Sequence, residues 1–191
     1  MKKIFLVLIL FFGSINILNA EVNRIISGNK EAKITIIAYE SLTCSHCADF
    51  HKDIYPQLKK DYIDTGLVKI EFRHFPLDVA AFNASKISQC KIGKGLEILN
   101  SLYSNQQEWV KGNTVEEIND NLKKFIKNQG FEVNFEKCIN NKKIEDYVLN
   151  DRIEGTKKFK VNATPTIIIN DEKFEKTLNY KNLKKSLEKL I

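Results

Sequence analysis

The pattern that most restricts this chain is a β-branched run, Ile34 to Tyr39 (ITIIAY), followed within five residues by Cys44-Ser45-His46-Cys47 at the start of a helical stretch. A short apolar run flanked by polar residues reads as a buried strand. From Cys47 to about Asp64 the pattern is helical, and Pro56 inside it predicts a kink or split before Gly66 closes the segment. Val68-Lys69-Ile70-Glu71-Phe72-Arg73 then alternates with period two, a second strand that ends at His74-Phe75-Pro76. The result is a βαβ unit with two cysteines at its first strand–helix junction.

Residues from about 78 to 159 read as an all-helical block. Within it, Thr114 and Glu117 are spaced as a capping box ahead of the stripe Val115, Ile118, Leu122, Phe125 and Ile126, which is simplest as helix core. Strand character returns at Thr166-Ile167-Ile168-Ile169, a turn follows at Asn170-Asp171-Glu172-Lys173, and Leu183, Leu187 and Leu190 mark a final amphipathic helix. The order is βαβ, helical block, ββα. No linker separates the block from the rest, so it reads as an insertion packed on an α/β parent.

Lys2 and Lys3 precede an apolar run from Ile4 to Phe12, and Ala20 stands where a signal peptidase cuts. The run is shorter than the roughly 20 residues of a membrane-spanning helix. Residues 1–20 are therefore expected to be a signal peptide and 21–191 a soluble mature chain. Leu18 is larger than the usual residue two places before a cut, which leaves an uncleaved anchor as the alternative. The mature length suits one domain that buries roughly 70% of its unfolded surface without a metal. The formal charge of +6 includes Lys2 and Lys3, and lysines elsewhere alternate with acids, as in Lys123-Lys124 after Glu116-Glu117. That is a solvated helix face and argues against nucleic acid as a partner. Four cysteines downstream of an export signal belong to a compartment where disulfides persist.

A Cys-x-x-Cys at a helix N-terminus sets its first sulfur against unpaired backbone N–H groups and the positive end of the helix dipole. Cys44 is therefore expected to be the thiolate nucleophile and Cys47 the resolving thiol, with the His46 imidazole near the Cys44 sulfur stabilising the reduced form. Other readings fit less well. Zinc on Cys44, Cys47 and His51 lacks a nearby fourth ligand, and haem attachment needs a histidine at Ala48. A purely structural Cys44–Cys47 disulfide restrains little chain entropy. His51, His74 and Trp109 read as surface or packing residues.

Tyr39-Glu40-Ser41-Leu42-Thr43-Cys44-Ser45-His46-Cys47, Arg73-His74-Phe75-Pro76-Leu77, the helical insertion, and Ala163-Thr164-Pro165-Thr166 before a late strand together resemble the DsbA-like family, a thioredoxin fold with a helical insertion. The resemblance implies a thiol–disulfide oxidoreductase that introduces disulfides into reduced, unfolded secreted proteins and is reoxidised by a membrane-bound, quinone-linked protein. It implies a periplasmic monomer with no metal or cofactor beyond its cysteines. Pro165 is then a cis-proline beside the redox pair, with Thr164 presenting its backbone to an extended client peptide; a trans proline opening a strand is the alternative. In related proteins cysteines in the helical block pair, which implies a structural Cys90–Cys138 disulfide; two free buried thiols are the alternative. Two positions depart from the family. Ala38 stands where related proteins carry a buried acid, which leaves Glu40 as the candidate proton relay to Cys47, and Ala163 stands where glycine is usual. An isomerase or reductase of the same fold, or a non-enzymatic binding module, are the alternative functions; about a dozen residues before the first strand leave no room for an isomerase's oligomerisation domain.

Overall fold

A computed structural model describes residues 22–191; the signal peptide expected over residues 1–20 lies outside them. Five strands form one mixed sheet in the order β1-β3-β2-β4-β5. β2 (Ile34–Glu40) and β3 (Val68–His74) are the parallel pair of the expected βαβ unit, and β4 (Thr166–Ile169) runs antiparallel to β2. β5 (Glu172–Lys173) closes one edge after the Asn170-Asp171 turn, where both residues take positive φ. The other edge is β1 (Ile25–Ser27), antiparallel to β3, a strand of three residues too short to show alternation in the sequence.

Both faces of the sheet are covered, so its central strand is apolar nearly throughout. Ile34, Ile36 and Ala38 of β2, with Val68, Ile70 and Phe72 of β3, face the main core, while Ile37 and Tyr39 face a smaller cluster with Phe75, Phe159 and Ile168. On that second face lies α8 (Lys142–Phe159). Its approach depends on Gly155, where an added Cβ would stand 2.8 Å from the Tyr39 ring.

The helix after the cysteine motif runs through Pro56 without breaking. It alternates α1 (Ser45–Asp49), a π-helical stretch (Phe50–Ile54), α2 (Tyr55–Leu58) and a second π-helical stretch (Lys59–Ile63). Widened turns on either side absorb a proline that has no N–H to donate. Gly66, at φ +79°, follows the end of this helix.

Between β3 and β4 lie α3 (Val79–Gln89), α4 (Gly95–Ser104), α5 (Gln106–Trp109), α6 (Val115–Asn128), α7 (Phe135–Ile139) and α8, all within the expected block. Asp78 caps α3 by accepting from the Ala81 N–H at 2.7 Å. The capping box ahead of α6 is half formed. Thr114 accepts from the Glu117 N–H, but the Glu117 carboxylate takes the Asn113 N–H in place of the cap's own. Trp109 is fully buried and donates its indole N–H to the Leu102 carbonyl, a packing role. The final helix, α9 (Tyr180–Leu187), buries Leu183 and Leu187; Leu190 lies beyond its end and is half exposed, so it is no part of the apolar stripe. No helix among the described residues is long and apolar enough to cross a membrane.

A disulfide joins Cys90, at the end of α3, to Cys138 in α7 across 48 positions, with a Cα–Cα distance of 5.6 Å. In the chain-entropy picture a loop of that length stabilises by about 4 kcal/mol. Replacing both cysteines by alanine is expected to lower the urea midpoint, with the m-value rising as the unlinked unfolded chain exposes more surface; an unaltered midpoint contradicts a stabilising role.

Candidate active site

The loop from Ser41 to Thr43 delivers the chain from β2 to the redox helix and is tied down on three sides. Thr43 Oγ1 donates to Asp78 Oδ2 at 2.7 Å, the Leu77 N–H donates to Ser41 Oγ, and the buried Gln106 amide donates to the Leu42 and Cys44 carbonyls at 2.8 and 3.1 Å. Gln106 carries no signal in the sequence, since a glutamine in a helical stretch reads as solvated surface.

Cys44 is the N-cap of α1 and half-buried; Cys47 lies one turn in and is fully buried, and both are free thiols. The Cys44 thiol is held at about 5. The Cys47 thiol hydrogen bond is the largest cause, the Thr164 side chain and the backbone N–H groups of Cys47 and His46 add to it, and burial opposes them. Cys47 moves the other way: burial, its hydrogen bond to Cys44 and the Glu40 charge push its thiol far above the ordinary range.

The cis Thr164-Pro165 peptide precedes β4 and brings Thr164 beside Cys44. As a thiol, Cys44 Sγ donates to the Thr164 carbonyl at 3.4 Å. The buried Thr164 hydroxyl has no other hydrogen-bond partner among the described residues, which leaves it free to donate to the thiolate.

The two histidines exchange the places the sequence suggested. His46 turns its ring to solvent, 82% exposed and 3.6 Å from Asp49, so what it brings to Cys44 is its backbone N–H and not a positive charge. His51 is buried, with Nε2 2.8 Å from Glu40 Oε2. Glu40, at the end of β2, is also buried, and burial raises its carboxyl above the ordinary range against the opposing pull of His51 and Tyr103. His74 is a packing residue: burial pushes its imidazole down to about 3, and Nε2 lies 2.8 Å from the Gln89 amide nitrogen. Among the described residues no group of three or more His, Cys, Asp or Glu side chains is placed to hold a metal ion.

Known proteins share this layout. A family model for thioredoxin matches residues 20–189. The crystal structure of α-DsbA1 from Wolbachia pipientis superimposes with a TM-score of 0.77 at 30% identity, covering 88% of this chain and 90% of that one. Disulfide bond formation protein D of Bacillus subtilis is 26% identical over 172 residues, 85% of this chain and 74% of its own length. A protein of Rickettsia prowazekii named as a protein-disulfide oxidoreductase is 28% identical over 173 residues, 88% of this chain but 62% of the relative, so the chain spans less than two thirds of that protein. By the extent of the family match and the shared fold, the chain belongs to the thioredoxin family, with a DsbA-like fold.

Proposed function

We propose that this protein is an exported, periplasmic oxidase that introduces disulfide bonds into reduced secreted proteins through Cys44 and Cys47. The observation that carries the reading is the opposite displacement of the two thiols: Cys44 is held as thiolate at about 5 while Cys47 is driven toward the protonated form. A sulfur stable as thiolate is a good leaving group, and a pair so arranged gives up its disulfide readily.

A client thiolate attacks Cys44 Sγ, and Cys47 leaves the disulfide and takes a proton. The second client thiolate then attacks the client sulfur of the mixed disulfide, and Cys44 leaves as thiolate. Two electrons pass from client to enzyme. Thr164 and Pro165 present the edge on which an extended client segment pairs, and Glu40 is the acid that exchanges the Cys47 proton. A membrane-bound, quinone-linked protein takes the electrons onward. Export is supported by the basic and apolar N-terminal residues, and an oxidising compartment by the Cys90–Cys138 disulfide.

The test is reoxidation of a reduced, unfolded client of known disulfides, with glutathione disulfide as terminal oxidant. Wild-type protein should accelerate the first disulfide, and Cys44→Ser should reduce the rate to background. Equal rates for the two would make the protein a binding module; acceleration confined to reshuffling of scrambled disulfides would make it an isomerase.

A further inference from the structure

Beyond the two cysteines, the structure poses the question of how a proton reaches the buried Cys47. That question rests on the reading of Cys47 as the resolving thiol. Cys47 is fully buried and gains or loses one proton in each half of the redox cycle, so thiol–disulfide exchange there needs a path for a proton as well as for electrons. The Glu40 carboxylate lies close enough for its charge to act on Cys47, but Glu40 is itself 3% exposed and cannot trade protons with bulk water directly.

His51 is the hydrogen-bond partner of Glu40. One face of its ring stacks on Tyr103 at 4.1 Å, and Phe50, Tyr55 and Phe72 pack around it, so the imidazole has a fixed orientation. Nε2 is committed to Glu40 Oε2. Nδ1, on the far side of the ring, is buried without a hydrogen-bond partner among the described residues, and Glu40 Oε1 is buried with none at hydrogen-bond distance, the Tyr103 hydroxyl acting on the carboxyl group as a whole. Two unsatisfied polar atoms at opposite ends of one hydrogen-bonded pair need an explanation. A cavity of about 480 Å³ supplies part of it: His51 lines that cavity together with Asp49, Lys52, Ser104 and Gln106, all at the flank of the redox helix. The π-helical turn Phe50–Ile54 carries His51, and π-turns recur at functional sites.

We propose that Glu40 and His51 form a proton conduit from Cys47 Sγ toward this cavity, its outermost step a transfer between His51 Nδ1, buried in the resting fold, and a water entering from the cavity. When a client reduces the disulfide, Cys47 leaves as thiolate and takes the proton of the Glu40 carboxyl. The Nε2 proton of His51 replaces it on Glu40, and solvent in the cavity protonates Nδ1. On reoxidation all three transfers reverse. Nδ1 returns its proton to solvent, Nε2 takes one from Glu40, and Glu40 takes the Cys47 proton, freeing that thiolate to attack Cys44 in its mixed disulfide with the reoxidising partner. Each cycle restores the starting tautomer, and no electron passes through either residue. The other titratable groups facing the pair are Cys44 from α1, Tyr55 from α2 and Tyr103 from α4. Burial holds both tyrosines above their ordinary range, which keeps them protonated through neutral pH and leaves His51 as the exchanging group.

The test loads Cys44 of the full chain with nitrothiobenzoate as a mixed disulfide and follows its release by Cys47 in a stopped-flow instrument from pH 5 to 8. His51→Ala should slow release by at least about 10-fold, and added imidazole, small enough for the cavity, should restore it in a saturable way. His51→Gln keeps a hydrogen bond to Glu40 but cannot take a proton on one side and pass one from the other, so it should stay slow and unrescued. Alkylation of Cys44 in both variants should remain within about twofold of wild type, since no proton passes through His51 in that step. Release from His51→Gln at the wild-type rate, or a folded His51→Ala that is slow and indifferent to imidazole, would overturn the conduit; if His51→Ala does not fold, His51→Gln decides alone. Cys47→Ser separates the underlying reading: release undiminished in that variant removes Cys47 as the resolving thiol, whereas Cys47-dependent release untouched by His51 removes only the conduit.

Discussion

At pH 6, iodoacetamide should alkylate Cys44 of the reduced protein about 1,000-fold faster than Cys47. A thiol held at about 5 is mostly thiolate at that pH, whereas an ordinary thiol near 8.5 is ionised to well under 1%. Cys47 lies further still on the protonated side and is sterically closed as well. The labelling rate of Cys44 should be flat from pH 8 to 6 and fall with a midpoint near 5. Labelling of Cys47 first, or a midpoint between 8 and 9, would contradict the assignment of nucleophile and resolving thiol. His46→Ala is expected to shift the midpoint little, because its imidazole stands in solvent and only its backbone N–H, which alanine keeps, reaches the sulfur.

Much of the fold is legible in the sequence because its central strands obey simple periodicities. The apolar run at Ile34 announces a strand buried on both faces, and alternation from Val68 announces the next. What escapes has a physical reason in each case. Strand β1 is too short to show a period, and its place at the sheet edge comes from pairing with β3, a tertiary fact. Side-chain spacing does not distinguish a π-turn from an α-turn over five residues, so the winding of the redox helix around Pro56 could not be read.

The site divides in the same way. Cys44, Cys47 and Thr164-Pro165 are recognisable from residue type and local context, and the structure brings them together. The roles of the histidines depend on which way a ring turns, which sequence does not encode locally. His46 occupies the suggestive place between the cysteines yet points outward, while His51 finds its partner eleven positions away at the end of β2. One signal was available. His51 stands four residues after Cys47, which in a helix sets it on the same buried face as that thiol.

The stability of the reduced form relative to the oxidised form should follow pH in proportion to its thiolate content. The Cys44 thiol is depressed from 9.0 to about 5, so its contribution to the reduced fold is fully present above pH 9, shrinks as pH falls, and is gone below 5. Unscreened, it amounts to about 3 kcal/mol at pH 7; Cys44 is partly exposed, and solvent screening leaves about 1–2 kcal/mol. Cys47, displaced upward, is protonated in both folded and unfolded reduced chains below pH 8 and adds nothing in that range. The oxidised form has no thiolate to stabilise. Closure of the four-residue Cys44–Cys47 loop favours the oxidised form by at most about 2 kcal/mol, and this offset does not vary with pH.

The most direct test of an oxidising redox pair is therefore the unfolding free energy of the reduced and oxidised protein, measured by urea denaturation from pH 5 to 8 in the Cys90→Ala/Cys138→Ala background so that reduction touches only Cys44 and Cys47. The advantage of the reduced form should rise by about 2 kcal/mol across this range, with the reduced protein the more stable by pH 8. An oxidised form that stays the more stable throughout, with a difference that does not change with pH, would contradict the account and make the pair a reductant.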